Sequence, residues 1–69
     1  MLLPNGSMIK NDVIESFNKA VANDENVRED GAIVWSFVDA DMHMDLRAFY
    51  DADYISECME VLADHYEGV

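Results

Sequence analysis

The sequence predicts an α+β domain: two helices, at about 8–22 and 53–66, packed on a short β segment at about 32–38. Two amphipathic stretches of helical period flank a β-branched and aromatic run of strand length. Asp30-Gly31 places a turn signal just before that run. A small all-α bundle is the alternative fold.

Residues 1–7 (MLLPNGS) read as a flexible leader. Pro4, Asn5 and Gly6 are turn formers, Ser7 is a candidate N-cap, and Met8 is an alternative start for the chain. Residues 8–69 then make one small acidic domain. From Met8 to about Ala22, Ile9, Val13, Phe17, Ala20 and Val21 follow at helical spacing, with Ile14 widening the stripe. Lys10, Asp12, Glu15, Asn18 and Lys19 take the other side, and Glu15 with Lys19 makes a favourable i,i+4 pair. The polar run Asn23-Asp24-Glu25-Asn26 ends the helix. Ala32-Ile33-Val34-Trp35-Ser36-Phe37-Val38 has poor helix propensity and reads as a strand.

Residues 39–46 support two readings, a helical turn or a second strand. With period two, Ala40, Met42, Met44 and Leu46 share a face; with period 3.6, Val38, Met42, Leu46 and Phe49 align behind an Asp39 N-cap. A hairpin would turn near Asp39-Ala40 without the glycine that such turns prefer, which favours the helical turn. Asp51-Ala52-Asp53 opens the last helix with two candidate acidic caps. Ile55, Cys58, Met59, Leu62 and Tyr66 form its apolar stripe, Glu57, Glu60, Asp64 and Glu67 an acidic one, and Gly68 its end.

Fifteen Asp and Glu face four Lys and Arg in 69 residues, a formal net charge of −11, yet 51% of the residues are hydrophobic. Disorder requires low hydrophobicity as well as high charge, so this is a folded acidic domain. Its size allows one small core, and self-repulsion among the carboxylates favours either tight packing or a dimer. A single cysteine excludes an intrachain disulfide and points to the reducing cytoplasm. No apolar run reaches the roughly 18 residues of a membrane span. The charge would be repelled by anionic lipid and by phosphate backbones. Neither membrane nor direct nucleic-acid binding is expected; a basic protein is.

The densest polar cluster, Asp39, Asp41, His43 and Asp45, is a candidate metal site. On a strand, successive ligands two residues apart lie about 6.5–7 Å from one another, too far for all four to close on one ion. An EF-hand fails because Met44 and Tyr50 stand where glycine and glutamate are needed. On a helix, Asp41 and Asp45 stack at i,i+4 and offer a weak divalent site; a solvated acidic segment is the plainer reading. His43 and His65 are read as structural, and Cys58 as core, since Glu57 beside it disfavours a thiolate. Trp35 and Phe37 share one strand face, a contact patch or a dimer seam. With no glycine-rich phosphate loop, no Ser/His/Asp order, no CxxC and no basic stripe, neither catalysis nor a cofactor is expected.

Asn26-Val27-Arg28-Glu29-Asp30-Gly31, followed by Trp35-Ser36-Phe37-Val38-Asp39-Ala40-Asp41, resembles the small acidic proteins of unknown function of marine tailed phages, including cyanophages. The likeness covers roughly residues 8–67. It implies a phage accessory product made in the host cytoplasm and transfers no functional residue.

Charge and pattern together predict an acidic interaction module. Its Glu57, Glu60, Asp64 and Glu67 stripe, extended by Asp51 and Asp53, would meet a basic host or phage protein, modulating it or occupying its nucleic-acid-binding groove. Carboxylates four residues apart on a helix rise by about 6 Å, near the spacing of phosphates along a strand. The alternatives are a homo-oligomeric assembly component joined through Trp35 and Phe37, and a weak divalent-metal binder through Asp39, Asp41, His43 and Asp45.

Overall fold

The computed structural model describes residues 2–68. Three helices, Asn11–Val21 (α1), Trp35–Leu46 (α2) and Ala52–Tyr66 (α3), pack against one another, with a 3-10 turn at Asp24–Asn26 between α1 and α2. Among the described residues there is no sheet; extended pairing is limited to two isolated antiparallel bridges, Leu2 with Met8 and Val27 with Ile33. The α+β expectation is therefore corrected to the all-helical alternative.

The correction lies at 32–38. Ile33 and Val34 keep the extended backbone that their β-branched side chains favour, but the helix starts at Trp35 and runs without a break to Leu46. Val38, Met42 and Leu46, four residues apart, are all buried and give the segment a core-facing stripe that outweighs its weak intrinsic propensity. Residues 39–46 are thus helix, and Asp39 sits inside it rather than capping it. Val34 holds the N-cap position with no side-chain hydrogen bond. Phe49 does not continue the stripe, because the chain leaves the helix after Leu46 and turns its ring to solvent.

The opening residues, read as a leader from the sequence, carry backbone hydrogen bonds of their own. The Leu3 N–H donates to the Ser7 carbonyl at 2.7 Å and the Gly6 N–H to the Leu3 carbonyl at 2.9 Å. The same pair of bonds recurs downstream, from the Arg28 N–H to the Ala32 carbonyl at 2.8 Å and from the Gly31 N–H to the Arg28 carbonyl at 2.9 Å. Both are three-residue loops whose last residue takes a left-handed conformation, and glycine stands at each with φ of +87°. Met1 lies outside the described residues. Leu3 is buried in the core, which ties the first loop down. Ser7 does not cap α1: the helix opens later, at Asn11, and Ile9 reaches the core from the extended segment before it.

α3 follows its sequence signals closely. The Asp51 carboxylate accepts the Tyr54 N–H at 2.9 Å as N-cap, and Gly68, at φ +75°, lies just beyond the end. Ile55, Cys58 and Leu62 enter a core shared with Ile9, Val13, Phe17, Val38, Met42 and Leu46. Asn26 and Ser16 are the buried polar residues among those described, and Asn26 is the more deeply enclosed. Its buried amide donates to the Ala20 carbonyl at 2.9 Å and to Asp41 Oδ2 at 2.8 Å, tying the end of α1 to α2. Its own carbonyl accepts the Val34 N–H at 2.8 Å, one residue before α2 begins. The body measures 36 × 28 × 17 Å, so its thinnest dimension is about one and a half helix diameters.

Candidate functional site

Helical geometry sorts α3 into two faces. Ile55, Cys58 and Leu62 mark the buried side. Asp53, Glu57, Glu60, Asp64 and Glu67 recur at alternating steps of four and three, and all five are exposed. At about 100° per residue they fall within roughly 80° of arc centred opposite the core, along about 21 Å of helix. The structure thus joins Asp53 to the predicted stripe as a fifth member, while Asp51 is occupied as the helix cap.

Nothing on α3 neutralises this row. No Lys or Arg follows Arg47 in the sequence. Among the described residues the ion pairs are Arg28 with Asp30 at 3.7 Å and a His43–Asp39 contact at 3.4 Å, neither on α3. Glu67 accepts the Trp35 indole N–H, which fixes one end of the row. Asp53, Glu57, Glu60 and Asp64 make no side-chain hydrogen bond among the described residues and are open to solvent.

Trp35 and Phe37 do not share a face. Two residues apart on a helix they point about 160° from each other. Trp35 turns inward, its ring stacked on Phe17 with centroids 6.1 Å apart and met edge-on by Tyr66. Phe37 turns outward and is half exposed. The expected aromatic seam is therefore replaced by an aromatic trio in which Phe17 is buried, Trp35 half-buried and Tyr66 exposed, and by a separate exposed ring at Phe37.

The four candidate metal ligands divide the same way. Asp39 and His43 lie on one flank of α2 and Asp41 and Asp45 on the other, and no three metal-binding side chains converge among the described residues. On the first flank, His43 Nε2 lies 3.0 Å from Ser56 Oγ on α3 and 3.4 Å from Asp39 Oδ1. Ser, His and Asp thus come together although their order in the sequence gave no hint of it. They do not form a relay. A relay needs the acid on one ring nitrogen and the nucleophile on the other, whereas here Nε2 meets both. Asp39 Oδ1 is buried without a hydrogen bond, and the 3.4 Å contact with His43 Nε2 does not supply one.

On the second flank, Asp41 and Asp45 line a cleft between α1 and α2 of about 490 Å³, with Lys19, Ala20, Ala22 and Met44 on the same lining. Asp45 Oδ2 accepts the Ser16 hydroxyl at 3.3 Å, and Asp41 is held by Asn26. Ser16, Asn26 and Met44 were not legible as site residues. The readable signal was α2 itself, apolar on two sides once the segment is taken as a helix.

Cys58 is buried, and burial pushes its thiol above the ordinary range, partly opposed by a hydrogen bond with Tyr54. Tyr54, whose hydroxyl donates to the Met8 carbonyl at 2.9 Å, is likewise raised by burial. Tyr50 is raised chiefly by donating to the Asp12 carboxylate at 2.8 Å. All three stay neutral at physiological pH.

No family model matches this chain, and neither a curated protein nor a solved structure does. Among the described residues, no helix is long and apolar enough to cross a membrane.

Proposed function

We propose that this chain is a small acidic interaction module of the cytoplasm that binds a basic protein through the α3 row. The observation that carries the reading is the row itself: five carboxylates on one side of one helix, with no cation on that helix. At roughly one charge per 5 Å of axis the row is sparser than the one phosphate per about 3.4 Å of a B-DNA strand, so it suits a basic groove without copying a duplex. The accessory role in a phage-infected cell that the resemblance implies belongs to this proposal and rests on the resemblance alone.

The test uses poly-lysine as a defined cationic probe and two variants of equal net charge. One carries Glu57→Gln, Glu60→Gln, Asp64→Asn and Glu67→Gln; the other carries Asp24→Asn, Glu25→Gln, Glu29→Gln and Asp30→Asn. The α3 variant is expected to lose most of the affinity and most of its salt dependence, while the loop variant keeps both. Equal losses from the two variants would mean that only total charge matters, and the row would have no special role.

A further inference from the structure

We infer that the outer face of α2, together with the cleft between α1 and α2, docks an amphipathic basic helix of a partner protein. The inference rests on the reading of a basic partner but places the contact on different residues from the α3 row. α2 is apolar on both sides. Val38, Met42 and Leu46 face the core, and Phe37, Ala40 and Met44, at steps of three and four, lie on the opposite side. Phe37 is 52% and Met44 73% exposed, where a surface helix ordinarily carries polar residues.

Met44 also belongs to the lining of the cleft, which makes the apolar face continuous with the Asp41 and Asp45 carboxylates. Each carboxylate is held through one oxygen by a buried residue, Asp41 by Asn26 and Asp45 by Ser16, so both are oriented before any partner arrives. Neither has an ion pair within 4 Å among the described residues, although Lys19 lies on the same lining.

This combination selects the occupant. A second copy would meet the same surface with the same carboxylates, adding Asp41 and Asp45 to their own images and a body of charge −11 to another. A basic amphipathic helix answers both features at once. Its aliphatic residues cover Phe37, Ala40 and Met44. A lysine or arginine lays its methylene stem against Ala20, Ala22 and Met44 and brings its charged end to Asp41 and Asp45. Lys19 opposes that cation and has to turn aside, which favours a long, flexible side chain.

The probe is a synthetic helix of about 18 residues with leucine on one face and lysine on the other, compared with a scrambled peptide of identical composition. Titration calorimetry in about 0.15 M salt is expected to show the amphipathic peptide binding at least about tenfold tighter than the scrambled one. Phe37→Ser with Met44→Ser should abolish that excess and leave the scrambled peptide's affinity and the far-ultraviolet circular dichroism unchanged. Backbone amide shifts should map to α2 and the end of α1.

The α3 amide variant should keep the excess while losing poly-lysine binding, so failure of the row and failure of this surface are read separately. Absence of the excess, its survival in the Phe37/Met44 variant, or shifts confined to α3 would overturn the inference. A dimer in sedimentation equilibrium that the Phe37/Met44 variant dissolves would assign the surface to a second copy and overturn it as well.

Discussion

Asn26→Asp exchanges one group for another of the same shape and reverses its hydrogen bonding. The side chain at 26 is buried, and both of its recorded bonds are donated, to the Ala20 carbonyl and to Asp41 Oδ2. A carboxylate there donates nothing. Loss of the donor to Asp41 Oδ2 costs about 1–3 kcal/mol, while the Ala20 carbonyl keeps the Asn23 N–H at 3.3 Å. The new charge also faces the Asp41 carboxylate from the 2.8 Å at which the amide now sits, a repulsion of several kcal/mol at an effective dielectric of about 20. Relaxation recovers part of this, and a net loss of about 3–5 kcal/mol remains, within the roughly 3–10 kcal/mol that holds a chain of this length folded.

The variant should therefore be largely unfolded at pH 7 and 37 °C, or melt at least about 12 °C below the parent. The introduced carboxyl is protonated more readily in the folded protein, where it shares its proton with Asp41. Its folded pKa is raised, so the variant's deficit is small below the unfolded value of about 4 and grows as pH rises through the folded one. Thermal melts by circular dichroism at pH 4 and pH 7 measure both effects, and Asn26→Asp with Asp41→Asn should recover part of the loss by restoring a donor. A single variant that melts within about 2 °C of the parent at pH 7 would refute the assignment of Asn26 as the link between α1 and α2.

Two further outcomes follow from the core. Ile55→Ala removes a fully enclosed side chain at the meeting of the helices and should cost about 2–5 kcal/mol, read from urea denaturation. Cys58, Tyr50 and Tyr54 all have raised values in the fold, so their contribution is complete below the ordinary thiol and phenol values, about 8.5 and 10, and is lost as pH climbs above them. Urea midpoints should hold steady from pH 7 to about 8 and then fall, with Cys58 unreactive toward a thiol reagent until the protein unfolds. A midpoint unchanged at pH 10.5 would contradict the Tyr50–Asp12 bond and the burial of Cys58 and Tyr54.

α3 was legible because its signals agree. Asp51 caps, Ile55, Cys58 and Leu62 share a stripe, and the carboxylates keep to the other side. α2 was not, for two reasons. Ile33-Val34-Trp35-Ser36-Phe37-Val38 has the local preferences of a strand, and only packing of Val38 with Met42 and Leu46 overrules them. Its second apolar side, Phe37 and Met44, also blurs the helical period that exposes such a stripe. Asn26 could not be found at all, since a polar run between elements reads as solvated loop and its burial depends on Ala20 and Asp41 arriving from two other segments. The Asp39, His43 and Ser56 cluster was hidden for the same reason: Ser56 belongs to a different helix.

The uneven placement of cations has a practical outcome for anyone who tethers this protein. The lysine side-chain amines are those of Lys10 and Lys19, at the start and near the end of α1, and α3 has none. Amine-reactive dyes and coupled resins will therefore leave α3 unmodified, and a bead loaded through these lysines still offers that helix to whatever is washed over it. The same chemistry at Lys19 crowds the mouth of the α1–α2 cleft, so the Lys10 linkage is the one to keep when that cleft is under study.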